Sequence, residues 1–333
     1  MENFILIILC IGLGYLFQIL KAFPGNTPEI LNKFVIFISM PAMILLEIPT
    51  MNISLTMIIP IVIAWSVMSI TAVITFYVSR WLEFTREVTG ALMLVTVLGN
   101  TSFLGIPLIN AYYGQEAMAY LLIYDQLGTF IFLISYATFV LTLYSGSGKT
   151  NFKIITIKVV TFPPFLSLIV GLLLMGTTLS PMVIHILKIF SNTIVPLVLV
   201  AVGLQLQFKI PAHDIKPFFV SSFIKLIIGP AIAFAICFIF GWSGLPAKVS
   251  IIEAAMPAMI TAGAMASMAG LAPRLCSAIV GYGIKNDSSL TWQVIDILNS
   301  NKIKIMSSQA DDIKMSILIN DQDNEKVIKL LHG

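Results

Sequence analysis

Three ionisable residues lie deep inside apolar runs of this sequence: Asp125, Lys225 and Glu253. Charge in hydrocarbon is costly, and where it occurs it usually serves protons, ions or substrates. Asp125, flanked by Tyr124 and Gln126, is the first candidate for proton or cation coupling. Its alternative role is as a structural partner for a backbone break or a lysine. Glu253 lies one helical turn before Pro257, as a second carboxylate of a site or as a residue reaching out from a helix end. Lys225 can pair with Asp125, with Glu253 or with a bound anion.

A second kind of chemistry comes from the backbone. The stretch LGNTSFLGIP, residues 98–107, holds Gly99, Asn100, Thr101, Ser102, Gly105 and Pro107. Glycine lowers helix propensity and proline removes a donor, so a helix here is interrupted. In lipid the freed groups must face protein or a water-filled cavity. Half-helix N-termini carry a positive dipole and free N–H groups, which suits an anion. AAMPAMITAGAMA, residues 254–266, repeats the theme with Pro257, Thr261 and Gly263. The competing explanation for either stretch is a kinked helix whose small residues allow close packing. Two such stretches at corresponding positions favour a binding site made by Gly99, Asn100, Thr101, Pro107, Pro257 and Thr261. There is no nucleophile–base arrangement, metal cluster or cofactor motif, and the GSGK at 146–149 follows an apolar run, not a strand. The reading is therefore of a non-enzyme without cofactor or metal.

The elements that must hold these residues are membrane helices. Of 333 residues 58% are hydrophobic and 11% charged, against about 25% charged in soluble domains. Nine runs are long enough to span about 30 Å of hydrocarbon: 4–20, 30–48, 55–79, 88–109, 117–143, 154–175, 182–206, 217–240 and 249–271. The first lacks a basic leader and cleavage site and reads as a span, not a removable signal. Lys21, Arg80, Arg86, Lys149, Lys153, Lys209, Lys216 and Arg274 fall in one set of loops, and only Lys248 in the other. The positive-inside rule then puts the N-terminus outside the cell membrane. The net charge of +3 is too small to imply nucleic acid. Cys10, Cys237 and Cys276 are scattered and read as small buried hydrophobes.

Prolines and small residues recur five spans apart: Pro41 in span two with Pro196 in span seven, and residues 98–107 in span four with 254–266 in span nine. An odd offset inverts the second half relative to the first. Inverted repeats with interrupted helices point to a secondary transporter with a midplane site. From Lys285 onward the chain turns polar. SLTWQVIDILNSN and DQDNEKVIKLLHG read as amphipathic helices, IKIMSSQ and KMSILIN as alternating strands.

LGNTSFLGIPL with the following NAYYGQEAMAYLLIYDQLGTFI resembles the auxin efflux carrier family, as do VPLVLVAVGLQL and EAAMPAMITAGAMA. The resemblance covers residues 1–274. It implies two inverted five-helix repeats whose fourth and ninth helices are broken and cross where substrate binds, at Gly99, Asn100, Pro107 and Pro257. Family members with a short central loop are associated with small carboxylates such as malate or malonate. A tenth helix is expected and missing or truncated. Residues 275–333 instead resemble an ACT regulatory module of the aspartate kinase type, without its last strand and with SAIVGYGI as its first. ACT modules usually pair, which makes a homodimer a candidate assembly. The expected protein is an all-α polytopic permease of 1–274 with a cytoplasmic, incomplete ACT-like α/β segment at 275–333. It carries small organic anions across the plasma membrane by alternating access, with a proton or sodium as coupling ion. The alternatives are a membrane-tethered amino-acid sensor and an inactive chimeric remnant.

Overall fold

A computed structural model describes residues 2–51, 54–144, 161–206, 214–280, 305–310 and 315–319. They belong to two units, 1–282 and 283–333. The described part of the first unit is helical. Its helices are α1 (Glu2–Leu20), α2 (Thr27–Phe34), α3 (Met40–Glu47), α4 (Ile58–Trp81), α5 (Arg86–Val95), α6 (Gly105–Tyr113), α7 (Met118–Ile123) and α8 (Ile131–Tyr144). They continue as α9 (Pro163–Leu173), α10 (Pro181–Ser191), α11 (Ile194–Gln205), α12 (Ile215–Phe223), α13 (Gly229–Ile239), α14 (Gly244–Ala254), α15 (Ile260–Met268) and α16 (Pro273–Val280).

Five helical stretches among the described residues are long and apolar enough to cross a bilayer: Thr27–Thr50, Leu55–Trp81, Gln115–Tyr144, Pro181–Gln205 and Ile215–Ile239. Ile5–Leu20 and Pro163–Leu173 are shorter apolar helices, and the first part of the expected span 154–175 lies outside the described residues. The two runs expected to be interrupted are interrupted. Runs 88–109 and 249–271 are each two short helices, α5/α6 and α14/α15, separated by unwound chain at 96–104 and 255–259.

Local sequence explains the ends. Thr85 caps α5 by accepting from Val88 N at 3.3 Å, with Glu87 in the first turn. Gly114, at φ 69°, lets the chain turn from α6 into the fifth span. Three spans widen into π-turns: Val35–Ser39, Tyr124–Phe130 and Ile224–Ile228. Wide turns of this kind are frequent at functional sites, and here two of them carry Asp125 and Lys225. Trp65 Nε1 of α4 donates to Leu127 O in the π-turn of the fifth span at 3.1 Å, while its ring meets Phe132 edge-on at 5.6 Å. Trp65→Phe should keep the ring contact, lose the bond, and lower stability by about 1 kcal/mol. Thermal unfolding in detergent measures this.

Two apolar cores fill the unit. One joins Ile63, Val67, Leu94, Leu98, Ala254 and Ala262 among others, and the second Met43, Ile44, Ile106, Ile109, Leu122 and Val198. The fourth segment is divided between them: α5 packs in the first core and α6 in the second. Its break lies where this segment passes from one core to the other.

The segment expected as a first ACT strand, SAIVGYGI, is corrected in its first half, and residues 281–284 lie outside the described residues. Ser277–Val280 are helical, within α16. Leu275 and Cys276 are buried, and Ile279 and Val280 pack on the first core at helical spacing. Gly263 of α15 makes room: a Cβ there would come 3.3 Å from Val280 Cβ. α16 thus lies in the first unit. In the second unit β1 (Ile305–Ala310) pairs antiparallel with β2 (Met315–Ile319), with Ala310 opposite Met315. These are the two alternating segments of the sequence. The helices expected on either side lie outside the described residues.

Candidate functional site

The two unwound segments satisfy each other. Asn100 N donates to Pro257 O at 2.7 Å and Met259 N donates to Leu98 O at 3.0 Å, making an antiparallel bridge of Gly99 with Ala258. Each break in hydrocarbon leaves backbone groups that need partners, and here one break supplies them to the other. Asn100 is buried, and its Oδ1 accepts from Phe103 N at 3.2 Å. Its carbonyl accepts from Leu104 N and Gly105 N, both at 3.3 Å. Asn100 thereby shapes the turn that starts α6. Thr96, at the near end of the break, is tied to Ser221 of α12 by a 2.7 Å hydroxyl–hydroxyl bond.

Three buried ionisable groups surround the crossing. Asp125 Oδ1 accepts from Thr101 Oγ1 at 2.5 Å and Ser102 Oγ at 2.6 Å, and its Oδ2 accepts from Gln126 Nε2 at 2.7 Å. The carboxylate fastens the turn of the fourth segment to the π-turn of the fifth span. Lys225 Nζ donates to Val97 O at 3.0 Å, a cation on the carbonyl end of the α5 side of the break. A Cβ on Gly99 would lie 2.9 Å from that Nζ, so glycine is what admits the lysine. Glu253 is fully buried, and its carboxylate rests against Gly105, where a Cβ would stand 2.7 Å from Oε2. It interacts electrostatically with Asp125 and Lys225, and among the described residues neither of its oxygens has a hydrogen-bond partner.

The α6 N-terminus is where the sequence places a substrate anion, and the protein's own Glu253 carboxylate is there instead. The buried cation of the cluster, Lys225, lies on the other side of the break. Pro107 is the third residue of α6, within the turn whose N–H groups are orphaned anyway, so the break lies before it and Pro107 is not its cause. Pro107 is buried and lines a cavity of about 300 Å³ with Asn110, Gln115, Asn192 and Pro196. Pro257 is half-buried and takes part through its carbonyl. Thr261 is exposed on α15 and is not brought to the buried cluster. The carbonyl of Val97, the pairing of Leu98 with Met259, and the fit of Gly105 to Glu253 were not legible in the sequence. Each joins positions far apart in the chain, and a single sequence carries no signal for them.

A family model described as a membrane transport protein, that of the auxin efflux carriers, matches residues 1–284. The chain belongs to this family. It is similar to an uncharacterized transporter of Methanocaldococcus jannaschii, 30% identical over 274 residues, covering 78% of this chain and 87% of that one. It is also similar to an uncharacterized transporter of Methanothermobacter thermautotrophicus, 26% identical over 269 residues, 80% of this chain and 87% of that one. The C-terminal part is similar to an aspartokinase of Rickettsia conorii, 39% identical over 55 residues, which are 16% of this chain and 14% of the aspartokinase. The protein is thus a membrane-embedded transporter and not an enzyme. The family match extends through α16.

Proposed function

We propose that this transporter is a secondary carrier of small organic anions, malate-like carboxylates among them, working by alternating access in the plasma membrane. The observation that carries the reading is the crossing itself. Two broken segments are paired backbone to backbone with Lys225 on one side, where the fourth segment passes from one core to the other. A buried cation beside neutral donors suits a carboxylate, and a break between two cores suits relative motion. Substrate binds at Gly99, Asn100 and Thr101 with Pro257 opposite. Asp125, Glu253 and Lys225 are the candidates for the group that couples to a proton or sodium.

The same reading gives nine spans in inverted repeats, an outside N-terminus and a permease domain of 1–274 extended by α16. α16, packed on α15, stands where a tenth helix begins. Asn100→Ala removes the acceptor for Phe103 N and should abolish uptake of malate or malonate in proteoliposomes, with expression and monodispersity kept. Wild-type rates in that variant would sink the site.

The aspartokinase similarity favours a second role for the part of 275–333 that follows α16, as a cytoplasmic ACT-like regulatory segment that pairs two copies of the chain. Titration calorimetry of the whole protein with lysine and threonine tests it. Absence of heat beyond dilution counts against sensing.

A further inference from the structure

We propose that Glu253 carries the coupling proton and that Asp125 does not. The inference rests on the carrier reading above and goes beyond it by choosing the group and the ion. Both acids are buried beside the crossing, Asp125 at 2% exposure and Glu253 at 0%. Their surroundings differ in one respect. Both oxygens of Asp125 are occupied by donors, from Thr101, Ser102 and Gln126. Among the described residues neither oxygen of Glu253 has a hydrogen-bond partner. Asp125 is therefore built into the scaffold of the break, and a proton arriving there has to displace a bond that holds the turn. Glu253 can take or release a proton without breaking anything.

The ligand is a proton rather than a metal ion because of what is near. A metal ion needs about six oxygens, and among the described residues no group of three or more His, Cys, Asp or Glu is placed to hold one. A proton needs one oxygen. Lys225 is within electrostatic reach and donates to Val97 O, but among the described residues it forms no ion pair with Glu253.

The groups that face Glu253 are Asp125 and Tyr124 from the fifth span and Lys225 from the eighth. Lys248 of its own helix is exposed, as is Glu116 at the start of the fifth span. The step is one of proton balance alone. Glu253 takes one proton from one side as the anion settles by Lys225, and gives it up on the other side, so each anion travels with one proton. The position against Gly105 adds a consequence: an ionised Glu253 complements the α6 dipole, and protonation releases that attraction as the anion's charge arrives.

The test uses the full chain in liposomes. Difference infrared spectroscopy across a pH series should show a protonated-carboxyl band that titrates, is lost in Glu253→Gln and is kept in Asp125→Asn. In parallel, malate uptake by the wild type should be stimulated by an inward proton gradient, and Glu253→Gln should lose that stimulation. A titrating band that survives Glu253→Gln, or that vanishes in Asp125→Asn, overturns the assignment. So does uptake that follows a sodium gradient and ignores pH. The infrared band needs no substrate. A chain that moves no malate yet shows the Glu253 band therefore counts against the carboxylate-carrier reading while supporting the proton site.

Discussion

Gly203→Leu should yield no monodisperse protein, whereas Gly12→Leu should behave as wild type. The two glycines look alike in sequence, each within an apolar helix. Gly203 of α11 lies against α1, where a Cβ would come 2.9 Å from Gly14 Cα and 2.9 Å from Tyr15 N. Gly14 meets α11 in the same way, 2.9 Å from Gly203 Cα and 3.0 Å from Leu204 N. All four are backbone atoms, which cannot swing aside as a side chain can. The two helices must separate along their length, and dispersion contacts fall off steeply with such a gap.

Overpacking typically costs 1–3 kcal/mol where side chains can shift, and more where they cannot. The first helix also has little else to hold it, since Cys10 and Gly14 are its buried positions among those described. Small residues at such crossings are how membrane helices approach closely. Gly12 has nothing within 4 Å of an added Cβ, so leucine there meets open space. Size-exclusion chromatography of detergent extracts separates the outcomes. A sharp monodisperse peak for Gly203→Leu would show that this contact does not hold the helices.

Asp125→Ala should cost about 3 kcal/mol or more and abolish transport. Truncation strands three buried donors at once, those of Thr101, Ser102 and Gln126. Each buried donor left without an acceptor costs about 1–3 kcal/mol, although hydroxyls can turn to carbonyls nearby and recover part of it. The functional loss follows from position. Thr101 and Ser102 belong to the turn that Asn100 starts, and the same turn presents Asn100 N to Pro257 O. Freed from Asp125, that turn no longer holds the crossing in register. Asp125→Asn should be milder, because the amide oxygen still accepts and the hydroxyls can accept from its nitrogen. Unfolding midpoints of the three proteins should fall in the order wild type, Asn, Ala. Equal midpoints for Asn and Ala would mean that the hydrogen bonds do not set the stability.

Much of the fold could be read from composition and pattern. Apolar runs gave the membrane class, and LGNTSFLGIP gave both the break and the family. Asp125, Lys225 and Glu253 stood out because charge in hydrocarbon is rare. Other expectations failed for identifiable reasons. Pro107 seemed to cause the break because proline ends helix interiors, but it falls in a first turn, where its missing donor is harmless. Thr261 seemed part of the site because it sits near Pro257 in sequence, but helical rotation turns it outward. SAIV seemed a strand because a short apolar run fits either element, and the groove beside Gly263 settles it as helix.

The sequence by itself determined that this protein lives in a membrane, that two of its segments are interrupted, and which side chains carry charge at depth. Those properties are local: hydropathy, propensity and residue type act within a few positions. Only the tertiary structure decided how the charges are used. Asp125 is saturated by donors, Lys225 caps the Val97 carbonyl, and Glu253 takes the α6 N-terminus that the sequence offered to a substrate. The pairing of Gly99 with Ala258 joins residues 159 positions apart. Contacts of that range depend on how whole helices pack, and they fixed which acid is bound into the scaffold and which is left free to act.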